Sequence, residues 1–208
     1  MMRGLGAALL PLVAACKIAA PPDRSATYEF TIRLETGFPL VFRWPTVSLP
    51  VRVWAEPGLD LEWHVTQAIG RWQAAVLYGE FRGTLVDDSS AADVIIRIGD
   101  IEAVEPQSQR LACAGATRIE VGLDTAIALP FRTTITPRFG HSPQDVHACV
   151  GTIVTHELGH VLGLFLHSDD PGDLMHGRPT SDGLSVRDVA TLETLYHSPP
   201  TVHLPPGR

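Results

Sequence analysis

Five consecutive residues, His156-Glu157-Leu158-Gly159-His160, combine two metal-binding side chains with a carboxylate. Residues four apart on an α-helix lie about 40° apart around its axis, so the two imidazoles point the same way. Both can bind one Zn²⁺ at about 2.0–2.1 Å, while the glutamate between them acts on the water that the metal activates. The spacing therefore predicts a catalytic zinc site with Glu157 as the general base.

The residues that follow this motif predict a third ligand. Gly163 lies where a chain leaving a helix can adopt the left-handed conformation without steric cost. His167 then supplies another imidazole, and catalytic zinc usually has three protein ligands and a fourth position for water. We predict His156, His160 and His167 as the zinc ligands. The alternative is a core helix that carries two hydrogen-bonded histidines.

The arrangement His156-Glu157-x-x-His160-x-x-Gly163, with a later histidine and Met175, resembles the metzincin clan of zinc peptidases. The nearer resemblance is to bacterial matrixin-like proteins. It covers about residues 142–197, and a weaker likeness in element order reaches back to about residue 44. The residues that carry it, besides the motif, are His167-Ser168, the segment from Asp169 to Met175, and Leu184, Ser185, Asp188, Leu192, Leu195 and Tyr196 in a closing helix.

This resemblance implies an α+β fold, similar to an α/β sandwich. Its parts would be a twisted mixed sheet with an antiparallel edge strand, a long zinc-site helix, a Met-turn formed around Met175, and a C-terminal helix. It also implies a metalloendopeptidase that holds one catalytic Zn²⁺ and hydrolyses a protein or peptide substrate. Structural Ca²⁺ occurs in relatives, although Asp169, Asp170 and Asp173 match no calcium loop.

The chain departs from the family pattern at two positions. The usual spacing would place the third ligand at Leu166, whereas the histidine comes one residue later. Because this segment is a loop, we expect it to absorb the insertion. Relatives often carry tyrosine after Met175, and this chain has His176. We expect His176 at the surface; the alternatives are a spare ligand or a transition-state donor.

Two other functions are compatible with the zinc motif. One is a non-catalytic zinc-binding surface lipoprotein, and the other is a zinc amidase that acts on a non-peptide substrate. Glu157 argues against the first, because structural zinc sites usually close with four ligands and need no base. The helix motif alone does not separate an amidase from a peptidase.

Composition bounds the class of protein. The chain has 208 residues, of which 45% are hydrophobic, and a formal net charge of −7. This suits one domain with a substantial core, and it excludes wholesale disorder. Without a clustered basic face we expect no nucleic-acid partner, and we expect a monomer.

The N-terminus is typical of an export signal. Arg3 precedes a short apolar stretch that ends in Val13-Ala14-Ala15-Cys16. The stretch is too short to span a membrane, and the small residues before Cys16 resemble a bacterial lipobox. We predict lipidation of Cys16, which would anchor an exported lipoprotein to the membrane of the bacterial cell envelope. The alternative is ordinary signal cleavage and a secreted protein.

The two remaining cysteines, Cys113 and Cys149, suggest a disulfide in an oxidising compartment. Closing a loop of about 36 residues would stabilise the fold by about 3–4 kcal/mol in the chain-entropy model. The alternative is two buried free thiols. We expect the bridge to make the region below the metal site more rigid.

Four segments follow from these patterns: a signal peptide at 1–15, a tether at 16–42, the peptidase domain at 43–198 and a disordered tail at 199–208. Hydrophobic periodicity within the domain predicts strands and helices. The predicted strands are 51–54, 84–86, 93–98, 114–123 and 131–135, and the predicted helices start after Asp60, Ser142 and Ser185, the second running to about Leu164.

Two further expectations concern residues outside the zinc motif. We expect Gly115–Val121 to be the edge strand that pairs with an extended substrate, or else an ordinary edge strand. We expect His64, in the first helix, to be a surface residue, and His147 to face away from the metal.

Overall fold

The computed structural model describes residues 26–100, 113–137, 142–181 and 183–205. The signal segment with Cys16, the side chain of Cys113 and the last three residues of the chain lie outside the described part. The strands and helices, in chain order, are β1 (Ile32–Arg33), β2 (Pro39–Leu40), β3 (Val51–Ala55), α1 (Leu61–Ala75), β4 (Gly83–Leu85), β5 (Val94–Ile98), β6 (Cys113–Arg118), β7 (Phe131–Pro137), α2 (Pro143–Val161) and α3 (Val186–His197).

A five-stranded mixed sheet forms the centre of the fold, with strand order β4-β3-β5-β7-β6. Neighbouring strands are parallel except at one end, where β6 runs antiparallel to β7. The first three residues of β5 are all buried, as expected of a central parallel strand that is covered on both faces. The predicted mixed sheet with an antiparallel edge strand is confirmed.

Helix α2 begins as its sequence predicts and ends earlier. Ser142 accepts a hydrogen bond from the Asp145 backbone N–H, and the Asp145 side chain accepts one from the Ser142 backbone, which completes a capping box. The helix ends at Val161 rather than near residue 164. Gly163 then has a φ of +108°, and a Cβ there would overlap the carbonyl oxygen of Phe42. Glycine is therefore needed both for the conformation and for the close approach.

Two buried tryptophans fix the position of α2. The indole of Trp72, from α1, donates to the carbonyl of Thr155 at 2.8 Å, and Trp44 donates to the carbonyl of Val161 at 3.0 Å. The second bond satisfies one of the carbonyls that a helix end leaves without an internal partner. Among the helices of the described ranges, none is both long and apolar enough to span a membrane.

Residues 26–42 do not form a tether. Tyr28, Phe30 and Phe42 are buried, and β1 pairs with β2 in a small antiparallel sheet. The Phe42 ring lies 5.4 Å from Trp44 and 5.7 Å from Phe131, centroid to centroid. The prediction failed because these apolar residues are scattered among polar residues and prolines, so their common burial appears only in the fold.

The C-terminal segment is also packed as far as the structure describes it. Val202 is 2% exposed and belongs to the core. Thr201 accepts a hydrogen bond from the backbone N–H of Val41 at 2.8 Å, and Ile127 donates one to the carbonyl of His203. Residues 199–205 therefore close over the domain instead of forming a disordered tail.

Candidate metal centre

Three imidazoles converge at the C-terminal end of α2. His156 and His160 come from the helix and His167 from the loop after it, and one donor atom from each lies within 4.8 Å of the others. The ring centroids are 4.8 Å apart for His156 and His160, and His167 lies 5.1 Å from each. The one-residue insertion at Leu166 thus leaves His167 beside the pair.

Backbone carbonyls orient the two buried rings. Nδ1 of His156 lies 2.7 Å from the carbonyl oxygen of Leu174, and Nδ1 of His160 lies 2.6 Å from that of Leu164. A carbonyl can only accept, so Nδ1 carries the proton in each ring and Nε2 keeps its lone pair. Both acceptors belong to the segment after α2, which therefore sets the orientation of the helix residues.

Burial favours the form of these rings that binds a metal. Loss of solvation lowers the pKa of His156 to about 4 and the pKa of His160 to about 3. The pKa of His167 is also lowered, mainly by burial and then by the neighbouring His176. All three imidazoles are therefore neutral near pH 7, as metal ligation requires.

The donor set fits one tetrahedral zinc ion. Zn–N distances of about 2.0–2.1 Å place the nitrogens of two ligands about 3.4 Å apart, so small side-chain movements would bring the three rings to that separation. Within the described part of the chain, no fourth histidine, cysteine or carboxylate joins the group. Three nitrogens with no fourth protein donor are typical of a catalytic rather than a structural site.

Glu157 lies beside this group with its carboxylate against the edge strand. It is 3% exposed, and its Oε2 accepts a hydrogen bond from Thr117 Oγ1 on β6 at 2.6 Å. A Cβ on Gly115 would overlap Oε1. Burial raises the pKa of Glu157 to about 7, against the opposing effect of the Thr117 hydrogen bond. A carboxyl group with such a pKa can both accept and release a proton near neutrality.

Met175 is fully buried and packs under α2. A Cβ on Gly159 would overlap its sulfur and would lie 2.9 Å from the ring of Trp72. Gly159 is therefore the position at which the helix can approach both side chains. The local signal for this role is a glycine inside a long helix, which suggests close packing.

Asp188 is a functional residue whose role the sequence analysis missed. It is fully buried and accepts hydrogen bonds from the backbone N–H groups of Leu174 at 2.8 Å and Met175 at 3.2 Å. It also accepts one from the hydroxyl of Tyr28 at 2.9 Å. Asp188 thus fixes the carbonyl of Leu174 that orients His156. In the sequence, Asp188 is visible only as one of the residues of the closing helix that carry the resemblance.

The three aspartates that follow His167 surround the side chain of Arg187. The guanidinium of Arg187 lies 2.6 Å from Asp169, 3.3 Å from Asp170 and 3.4 Å from Asp173. One guanidinium therefore pairs with all three carboxylates, and the structure gives no support to the structural calcium that the resemblance leaves possible. His176 is partly exposed, lies outside the group of three converging imidazoles, and forms a β-bridge with Ser168.

A second pair of histidines lies between α1 and α2. His64, expected at the surface, is 2% exposed, and its ring centroid is 4.3 Å from that of His147 and 5.0 Å from Trp63. Neither ring nitrogen of His64 has a hydrogen-bond partner among the described residues. The expectation was wrong because α2 covers this position, where a Cβ on Gly151 would lie 3.0 Å from the ring. His147 is exposed and contacts this cluster rather than the converging imidazoles.

The edge strand and the cysteines complete the surroundings of the site. Strand β6 lies at the end of the sheet and ends at Arg118, three residues before the predicted end at Val121. Cys149, on α2, is disulfide-bonded. Since the side chain of Cys113 lies outside the described residues, the predicted pairing of the two stays a prediction.

Comparison with known proteins gives likeness to solved structures at low sequence identity. No protein-family model matches the chain, and no curated protein matches it. Among solved structures, the chain is similar to high choriolytic enzyme 1, a hatching enzyme zinc-protease from the medaka fish Oryzias latipes. The identity is 14%, the match covers 76% of this chain and 94% of that chain, and the TM-score is 0.41. At this level of similarity, function has to be argued from the site itself.

Proposed function

We propose that the chain is a zinc-dependent metalloendopeptidase of the matrixin-like type, with His156, His160 and His167 as zinc ligands and Glu157 as the general base. The observation that carries the proposal is the convergence of three neutral imidazoles beside a buried carboxylate. The backbone acceptors of His156 and His160 support it, since such outer partners orient ligand rings at metal sites.

The roles of the side chains follow from their positions. When bound, zinc would act as a Lewis acid that polarises a carbonyl group and lowers the pKa of water. Glu157 then takes a proton from the attacking water and delivers it to the leaving amine. The burial of Glu157 strengthens this role, because a poorly solvated carboxylate binds a proton more readily.

The edge strand supports a peptide as the substrate. Among the described strands, β6 lies at the end of the sheet beside β7. Its Gly115 and Thr117 lie against Glu157, so an extended peptide that pairs with the outer edge of β6 would pass beside the carboxylate. A zinc amidase with a small non-peptide substrate would have no use for this edge.

Purified, zinc-loaded protein tests the proposal against its rivals. We expect cleavage-site profiling on a peptide library to show internal cuts, and we expect a chelator to abolish them. Hydrolysis of non-peptide amides alone would indicate an amidase. One bound zinc ion per chain with no hydrolysis of either class would indicate a zinc-binding protein.

We also propose export of the protein and lipidation at Cys16, on the basis of the N-terminal sequence. Expression of the full chain in a bacterium with radiolabelled palmitate should label the protein in the membrane fraction. Replacing Cys16 by serine should abolish the label. Release of an unlabelled wild-type protein into the medium would favour simple secretion.

A further inference from the structure

We infer that Thr117 on β6 is a positioning residue that holds one oxygen of Glu157, and that Thr133 on β7 orients the Thr117 hydroxyl. The inference deepens the proposed function and rests on it, because it concerns the geometry of the general base. It is carried by two side-chain hydrogen bonds that join three residues from three different elements.

The number of hydroxyl protons decides which group donates each of these hydrogen bonds. In the ionised form that acts as a general base, the carboxylate can only accept, so Thr117 donates its one hydroxyl proton to Oε2 of Glu157 at 2.6 Å. The contact at 2.9 Å between the Thr117 and Thr133 hydroxyls must then be donated by Thr133. A chain of two hydrogen bonds therefore runs from β7 through β6 to α2.

The sheet register fixes both threonines in place. Thr117 and Thr133 are directly opposite each other in the antiparallel pair of β6 and β7. Thr133 is 2% exposed, so water competes little for its hydroxyl. Because both hydroxyls are mounted on strands rather than loops, the position that they give Glu157 is set by backbone hydrogen bonding.

The two oxygens of Glu157 have different surroundings. Oε2 is engaged by Thr117, while Oε1 faces the bare Cα of Gly115, where any side chain would overlap it. Oε1 is therefore the oxygen left to take a proton from water. Without the Thr117 hydroxyl, the carboxylate could rotate about its terminal torsion and present either oxygen, or neither, to the substrate.

Two substitutions at Thr117 distinguish the effect of its hydroxyl group from the effect of its branched shape. Thr117→Val keeps the branched side chain and removes the donor, whereas Thr117→Ser keeps the donor. We expect Thr117→Val to lower kcat by about 10- to 100-fold with KM changed by less than about twofold, since general-base catalysis depends on position. Thr117→Ser should restore most of kcat, and zinc content should stay at the wild-type value in both.

Two variants on β7 serve as a further test and a matched control. Thr133→Val should lower kcat by less than Thr117→Val, because it acts through the Thr117 hydroxyl. Thr134→Val removes a hydroxyl from the adjacent residue, whose side chain faces the other side of the sheet, and should leave kcat unchanged. Equal kcat values for Thr117→Val and wild type would overturn the inference.

Crystal structures give a readout that does not need activity. In zinc-loaded wild type and Thr117→Ser, Oε2 should lie within hydrogen-bond distance of residue 117, and in Thr117→Val the carboxylate should be rotated. An unchanged carboxylate in Thr117→Val would also overturn the inference. If wild type cleaves no peptide, the proposed function fails while this comparison still decides the role of Thr117. Should Thr117→Val not fold, Thr117→Ala removes the same hydroxyl and gives the same structural test.

Discussion

The two histidine clusters of this protein contain similar side chains but differ in the hydrogen-bond partners of their rings. At the end of α2, the Nδ1 atoms of His156 and His160 each contact a backbone carbonyl, and a third ring converges on them. Between α1 and α2, His64 is equally buried, yet its ring nitrogens have no partner in the described structure. Its one histidine neighbour, His147, is exposed.

The difference shows that burial of an imidazole does not by itself indicate a metal site. In the first cluster, the Nδ1 atoms of His156 and His160 donate hydrogen bonds to backbone carbonyls, and their Nε2 atoms keep the lone pairs that can bind a metal. Ligand histidines are held in this way. In the second cluster, the ring nitrogens of His64 have no such partner among the described residues, and the ring is simply enclosed by packing helices. The distinguishing feature is supplied by the loop after α2.

The largest expected effect is a loss of catalysis without any loss of zinc from the first cluster. Glu157→Gln should lower kcat by at least about 100-fold, because an amide cannot take a proton from water. Zinc content should stay at one ion per chain, since Glu157 is not among the three ligands. Glu62→Gln, at an exposed position on α1, is the control and should be fully active. Full activity of Glu157→Gln would refute the role of the carboxylate.

Removing one imidazole from each cluster tests the comparison directly. His167→Ala should weaken zinc affinity by more than about 100-fold, which exceeds the loss expected from an outer partner. His64→Ala should leave zinc affinity unchanged. Competition with a chromogenic chelator measures both values. A loss of zinc affinity in His64→Ala, or no loss in His167→Ala, would contradict the assignment of the zinc site to the first cluster alone.

Asp188 supports the first cluster through the backbone of the Met175 turn, so its substitution should weaken zinc binding less than the loss of a ligand. Asp188→Asn keeps the shape of the side chain and removes the charge that accepts from Leu174 and Met175. We expect zinc affinity to fall by about 10- to 100-fold, the usual effect of disturbing a partner of a ligand. The same titration measures it, and a wild-type affinity would mean that the Met-turn holds its place without Asp188.

The second cluster should show itself as a pH dependence of stability, without any effect on zinc binding. The pKa of His64 is lowered to about 4, first by burial and then by His147 and Arg71, against the attraction of Asp60. The unfolded chain has an ordinary value of about 6.5 and so binds a proton that the folded chain does not. The His64 contribution to stability is therefore lost as pH falls from about 6.5 to 4, by up to about 1.4 kcal/mol per pH unit.

His64→Leu removes this contribution. Near pH 7 the variant should be at least as stable as wild type, because it replaces an unpaired polar group by an apolar one. As pH falls below about 6.5, its advantage should increase. Urea unfolding in the presence of a chelator measures the difference, and the protonation of the metal-site histidines cancels between the two proteins. A difference that does not change with pH would contradict the shifted pKa of His64.

Much of the fold was predictable because its signals are local. The strands of the large sheet and all three helices follow from hydrophobic periodicity and helix caps, which depend on near neighbours in the chain. The roles of residues 26–42 and 199–205 were not predictable, because their burial depends on contacts across the whole chain. The Thr117–Glu157 hydrogen bond joins residues 40 positions apart and carries no local signal.

The sequence by itself determined the donor types and the helical face shared by His156 and His160, because an i, i+4 spacing on a helix allows one geometry. It also placed a glycine at 163, where the chain leaves the helix. Only the tertiary structure decided that His167 reaches the pair despite its insertion, that Asp188 fixes the Met-turn, and that His64 is buried. Each of these depends on how distant segments pack, and packing is a property of the whole chain.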